Sequence, residues 1–128
     1  MELIYRVENQ YEFTDKEKAE KLEKFIAFYR NKGFNNPQIR EIVQGLFYGI
    51  DYSIYAKLYY DYKQMHEIRL GLNKGLNISY YLDKNLDWSY MFEIRKSLEN
   101  GLDLSPYKSY NVSQLIEAIR RAKFRIWL

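Results

Sequence analysis

The sequence predicts an all-α fold of tandem 26-residue helix-turn-helix repeats, stacked as a small solenoid. The first observation is internal repetition, because Gly49, Gly75 and Gly101 lie 26 residues apart each time within three similar phrases. The second is that apolar residues in each phrase are spaced to line one helical face. A two-helix unit of this size cannot bury that face alone, so neighbouring units are expected to stack. We therefore expect a single domain over residues 1–128.

The segment before the repeats, residues 1–34, is predicted to hold one helix and a short strand. The run MELIYRVE alternates apolar and polar residues as a strand does. Thr14 followed by Glu17 is a capping box that opens a helix, and this helix is predicted to end at Gly33.

The repeats at 35–60, 61–86 and 87–110 are each predicted to open with a capped helix. The N-cap residues are Asn35, Asp61 and Asp87, followed by Asn111 at the start of a fourth, degenerate copy. Three of them have glutamine three positions on, at Gln38, Gln64 and Gln114, which completes a capping box. The repeated glycines stand where a helix ends in a left-handed residue. Residues 111–128 are predicted to form a C-terminal capping helix.

A second, shorter helix is predicted after each of these glycines, carrying Tyr55, Tyr81 or Tyr107. Gly45 and Gly71 lie inside the preceding helices, where glycine costs roughly 1 kcal/mol relative to alanine. Close approach of the following short helix explains a small residue there. The same pattern also resembles the DNA-binding helix-turn-helix, in which the second helix enters the major groove.

Enzymatic chemistry is not expected from this composition. The chain has no cysteine and one histidine, His66, so neither a thiolate metal site nor a histidine pair can form. We expect no catalytic residue, no cofactor and no metal. No stretch approaches the ~18 apolar residues of a membrane span, and no leader pattern opens the chain, so a soluble cytoplasmic protein without a membrane partner is expected.

Two compositional features bear on partners. The chain holds 14 tyrosines, which either reflect an AT-rich genome or form a contact surface. The net charge of +3 lies wholly in residues 111–128. The basic residues there are Arg120, Arg121, Lys123 and Arg125, which either contact nucleic acid or complement the dipole of the last helix. One place in the four helices is held by a glutamate, which either engages a basic partner or, as we favour, forms ion pairs between repeats: Glu41, Glu67, Glu93 and Glu117.

The unit resembles a family of short repeats of the form Q-M-x-E-I-R-x-G-L-x-x-G-L-D-x-S-x-Y, with the best match from Gln64 to Tyr81. Such repeats recur in uncharacterised proteins of phages and other mobile elements of low-GC Gram-positive bacteria. That setting implies a small, non-enzymatic inhibitor of host defence, similar to an anti-CRISPR protein that binds an RNA-guided nuclease or another nucleic-acid-binding complex. On this hypothesis the partner-binding residues are Tyr52, Tyr59, Tyr60, Tyr62, Tyr80 and Tyr110. The alternative is a small helix-turn-helix DNA-binding regulator that uses the basic C-terminal helix.

Overall fold

The computed structural model describes residues 14–127, with side chains as far as Lys123. Within these residues the protein is all-helical, as predicted, and contains no strand. The α-helices are α1 (Asp15–Asn31), α2 (Asn36–Tyr48), α3 (Tyr62–Asn73), α4 (Trp88–Glu99) and α5 (Val112–Trp127). Three 3-10 helices span Tyr52–Ile54, Ile78–Tyr80 and Ser105–Tyr107. The strand predicted in MELIYRVE lies outside the described residues.

The helices begin where the capping signals predicted. In front of α2, the Asn35 side-chain oxygen accepts from the backbone N–H of Gln38, and the Gln38 side-chain oxygen accepts from the backbone N–H of Asn35, both at 2.9 Å. Asp61 and Gln64 form the same reciprocal pair at 2.9 and 2.8 Å. Each box satisfies two backbone donors that a helix start leaves without an intrahelical acceptor. Asn111 and Gln114 repeat the arrangement before α5 at 3.0 and 2.9 Å.

The second helix of each repeat is shorter than predicted, because it is a single 3-10 turn of three residues. The Gln38 side-chain amide donates to the Tyr60 carbonyl at 2.7 Å, so the chain returns from the end of α2 to its beginning. With a rise of about 1.5 Å per residue, α2 is about 20 Å long, and the connecting residues 49–60 cover that distance with one short 3-10 turn and irregular backbone.

The predicted close approach at the helix glycines is confirmed. The Tyr55 hydroxyl donates to the Glu41 carbonyl at 2.6 Å, and the Tyr81 hydroxyl donates to the Glu67 carbonyl at 2.9 Å. A Cβ on Gly45 would overlap the Tyr55 hydroxyl. These hydroxyls therefore occupy the space that a larger side chain would need.

The chain divides into two compact units, Met1–Met65 and His66–Leu128. In the first, α1 packs on α2 and α2 packs on the 3-10 helix Tyr52–Ile54. Its core contains aromatic rings in edge-on contact, with Phe25 5.1 Å from Tyr29 and 5.6 Å from Tyr52 between ring centroids. Such edge-on pairs stabilise a core beyond the area that they bury.

In the second unit, α4 packs on α5. Its buried side chains include Ile68, Tyr81, Met91, Ile94 and Ile119. The third repeat departs from the others, because Ser97 replaces the helix glycine and its hydroxyl donates to the Ile94 carbonyl at 2.7 Å. Its tyrosine, Tyr107, is only half-buried.

Candidate partner-binding surface

The six predicted contact tyrosines differ in their exposure to solvent. Tyr59, Tyr62 and Tyr110 are exposed, and Tyr80 is half-buried. The prediction that Tyr52 and Tyr60 lie on a contact surface is wrong, because both are buried. A buried ring has no free area to offer a partner.

Local packing explains the burial of these two residues. The Tyr52 ring meets Phe25 and Tyr29 edge-on, so it belongs to the aromatic core of the first unit. Tyr60 directly precedes the N-cap Asp61, and its ring lies 4.8 Å from that of Tyr59. A residue before the N-cap commonly packs against the first turns of its helix, which accounts for its low exposure.

Sequence reasoning missed several exposed apolar side chains as contact candidates. In the first unit these are Phe47, Tyr48 and Leu58. The available signal was that Phe47 and Tyr48 stand where the other repeats carry polar residues, Asn73 and Lys74 in the second and Glu99 and Asn100 in the third. In the second unit they are Leu82, Trp88, Tyr90 and Phe92, beside the predicted Tyr110.

Trp88 and Phe92 lie one turn apart on α4 and therefore on one face of the helix. The Arg95 guanidinium stacks over the Phe92 ring, 5.4 Å from its centroid. Cation–π contact of this kind restrains both side chains. The face thus presents ordered aromatic surface, which costs less entropy to bind than mobile side chains.

Beneath this face lies a buried ion-pair network. Arg95 donates to Glu67 at 2.5 Å and to Glu99 at 2.6 Å, and Lys74 lies 3.0 Å from Glu99. Burial raises the pKa of Glu99, but hydrogen bonds from Lys74, Lys96 and Arg95 and the charge of Arg95 outweigh it, so the pKa is lowered. Burial likewise lowers the pKa of Arg95, and its two carboxylate partners more than offset that effect. Glu99 and Arg95 therefore both stay charged near neutral pH.

The basic residues of α5 are largely engaged in ion pairs. Arg120 donates to both carboxylate oxygens of Glu93 at 3.0 and 2.9 Å, and these bonds raise the pKa of Arg120. Arg121 donates to Glu117 at 2.6 Å. Lys123 is half-buried, and the side chain of Arg125 lies outside the described residues. Intrachain carboxylates thus offset two of the four cations that were candidates for nucleic-acid contact.

One cleft brings together residues of both predicted sets. It has a volume of about 390 Å³ and lies between the loop before α5 and the face of α5 itself. It is lined by Tyr107, Tyr110, Gln114, Glu117, Ala118, Arg121 and Ala122. Two tyrosine rings with centroids 5.2 Å apart and a glutamate–arginine pair give it mixed apolar and charged character.

The described residues also bear on catalytic, metal and membrane sites. His66 is half-buried on α3, with its Nδ1 3.2 Å from an Arg69 nitrogen. Among the described residues no three histidine, cysteine, aspartate or glutamate side chains converge as metal ligands would. No helix in this part of the chain has the length and apolarity to cross a membrane.

Comparison with protein-family models, with curated proteins and with solved structures finds no match for this chain.

Proposed function

We propose that this protein is a non-enzymatic binding protein that recognises another protein through its exposed aromatic side chains. The supporting observation is that ten large apolar side chains of the described residues are exposed, and eight of them are aromatic rings of tyrosine, tryptophan or phenylalanine on α2, α3, α4 or the connecting loops. Tyrosine and tryptophan are enriched where proteins bind one another, because they bury large area with few rotatable bonds.

We propose further that the repeats stack as a small solenoid. Support comes from the two ion pairs that link successive helices, Glu67 with Arg95 and Glu93 with Arg120. The tyrosine-to-carbonyl bonds of Tyr55 and Tyr81 support it as well, because they recur at the same place in two repeats. Stacked units present an extended surface, as solenoids that bind proteins do.

The partner in this proposal is a cytoplasmic host defence complex, an RNA-guided nuclease, which the protein inhibits as an anti-CRISPR protein does. The support is the resemblance of the repeat to those of mobile-element proteins. The exposed tyrosines and neighbouring carboxylates would face a basic, nucleic-acid-binding surface of that complex. Occupation of such a surface would block nucleic-acid entry without any catalytic step.

Direct DNA reading is the less favoured function. A recognition helix reads bases with several side chains along a helix that fills the major groove. The three-residue 3-10 turns carry too few side chains for that purpose. The ion pairs of Arg120 and Arg121 also reduce the charge available to phosphates.

The test is a binding and inhibition assay with a purified RNA-guided nuclease complex from a low-GC Gram-positive bacterium. The wild-type protein should bind it and slow cleavage of target DNA. The double variant Tyr59→Ala/Tyr62→Ala should lose at least about tenfold in affinity, because contact tyrosines commonly contribute more than 1 kcal/mol each. The control variant Glu20→Ala/Lys24→Ala changes exposed polar residues of α1 and should bind as the wild type does.

Circular dichroism should show that both variants remain folded. Equal affinity of the tyrosine variant and the control would refute recognition through Tyr59 and Tyr62. If the protein instead bound duplex DNA with an affinity that fell steeply with salt, and replacement of Arg120, Arg121 and Lys123 by alanine removed that affinity, the DNA-binding function would replace this proposal.

A further inference from the structure

The residue before each N-cap is buried in every repeat but the last. Phe34, Tyr60 and Leu86 precede the N-caps of α2, α3 and α4 and are 6%, 4% and 5% exposed. Tyr110 holds that place before α5 and is 45% exposed. The N-caps of α4 and α5 are 24 residues apart, whereas earlier ones are 26 apart, so the loop that carries Tyr110 is two residues shorter. An apolar position that the other repeats cover is therefore open at α5.

The capping glutamine shows the same difference. Gln38 and Gln64 are buried, and the side-chain amide of Gln38 donates to the carbonyl of Tyr60 in the loop that follows. Gln114 makes the same backbone cap but is exposed. α4 carries Tyr90 at this place, so only three of the four helices have the glutamine. At Gln38 the following segment thus supplies a carbonyl acceptor for the side-chain amide.

The glutamates six residues after the N-caps extend the pattern. Glu67 on α3 accepts from Arg95 of α4 and its side chain is 5% exposed. Glu93 on α4 accepts from Arg120 of α5 and is 23% exposed. In both pairs the arginine comes from the next helix. Glu117 holds the same place on α5, is 64% exposed, and pairs with Arg121 of its own helix.

These three positions line one cleft. Tyr110, Gln114 and Glu117 surround it together with the small residues Ala118 and Ala122. Small residues on a helix face let a second helix approach closely, and the tyrosines provide an apolar wall. The cleft therefore contains the α5 position whose equivalents on α3 and α4 pair with an arginine of the next helix.

We infer that this cleft is the docking site for an amphipathic helix of the partner protein that places an arginine against Glu117. The partner arginine would meet Glu117 as Arg95 meets Glu67, and an apolar residue of the same helix would cover Tyr110. The inference rests on the proposed protein-binding function and adds the chemistry of the partner segment. Recognition by a helix in a groove uses anchors one turn apart, which suits this arrangement.

The probe is a peptide of residues 87–100, the α4 segment with Arg95, fixed as a helix by a side-chain staple because helices this short are marginal alone. It is labelled and titrated into the full chain. The wild type should bind it, with NMR shifts at Tyr110 and Gln114. Glu117→Lys should weaken binding about tenfold or more, whereas the control Glu20→Lys on α1 should not.

Exchange of the two charges tests whether the peptide arginine meets Glu117 directly. A peptide with Arg95→Glu should bind the wild type poorly and bind the Glu117→Lys variant better. Tyr110→Ala should weaken binding without any change of charge, which guards against a purely electrostatic effect. Equal effects of Glu117→Lys and Glu20→Lys, or shifts away from the cleft, would overturn the inference.

Two further outcomes show whether the cleft binds a helix of the partner protein, a second copy of this chain, or neither. Concentration-dependent dimers in sedimentation that Glu117→Lys dissociates would show that a second copy fills the cleft, which overturns the partner-helix inference. If Glu117→Lys and Tyr110→Ala leave nuclease binding intact while Tyr59→Ala/Tyr62→Ala abolishes it, the protein-binding function stands and this inference falls.

Discussion

Replacement of Gly71 by alanine should destabilise the protein, although alanine is the better helix former. A Cβ at this position would overlap the Tyr81 hydroxyl and lie 2.7 Å from Cγ2 of Ile78 and 3.1 Å from Cζ of Tyr81. Both neighbours are buried, so neither can swing into solvent. The interior must therefore repack around the added methyl group.

The expected cost combines three effects. Helix propensity alone would stabilise the variant by about 1 kcal/mol. Overpacking costs about 1–3 kcal/mol, and displacement of the Tyr81 hydroxyl from the Glu67 carbonyl costs about 1 kcal/mol more. The net effect is a loss of about 1–3 kcal/mol, opposite in sign to the propensity effect.

Urea unfolding of four proteins measures this effect and its source: the wild type, Gly71→Ala, Tyr81→Phe and the double variant. Because Tyr81→Phe removes the overlapping oxygen, Gly71→Ala should cost at least about 1 kcal/mol less in that background. Gly45→Ala, opposite Tyr55, should behave as Gly71→Ala does. A Gly71→Ala variant as stable as the wild type, or equal costs in both backgrounds, would refute the close-packing explanation.

Two further predictions concern the ion pairs. Arg95→Ala should lower the free energy of unfolding by about 3 kcal/mol, because it leaves the Glu67 carboxylate buried without its cation, whereas Arg120→Ala on the exposed pair should have little effect. Urea titration of both variants tests this, and equal losses would contradict it. Because the pKa of Glu99 is lowered in the folded state, its contribution is present above pH 4.5, its ordinary value, and is lost as the pH falls through the lowered pKa. Glu99→Gln should therefore flatten the loss of stability on acidification, and an unchanged pH profile would contradict that.

Local signals in the sequence were sufficient to predict the helix boundaries. The caps at Asn35 and Asp61 and the left-handed residues Gly49 and Gly75, both at φ 69°, depend on a few neighbouring residues. The internal Gly71 predicted a close neighbour because a glycine in a helix needs a compensating contact. The three-residue length of the 3-10 turns was not predicted, because it depends on how the connecting chain packs and not on a local capping signal.

The exposure of individual tyrosines could not be predicted, because it depends on packing and not on residue type. Tyr59 and Tyr60 are adjacent, yet one is exposed and the other buried. Tyr60 directly precedes an N-cap, as Phe34 and Leu86 do, and this position indicates burial. Comparison of equivalent positions would have assigned Tyr60 to the core from the sequence alone.

Tyr110 and Glu117 at α5 differ from their equivalents in the other repeats in a way that favours a partner helix there. Tyr110 would be assigned to the core by its position, and the structure exposes it. An apolar ring whose equivalents are buried loses the transfer free energy of its area, about 25 cal/mol per Å², unless another segment covers it. Glu117 lies in the same cleft and lacks the interhelical arginine that Glu67 and Glu93 have, so one helix could supply both missing contacts. A binding site used only for its apolar area would not require that coincidence of an exposed ring and a carboxylate whose arginine comes from its own helix.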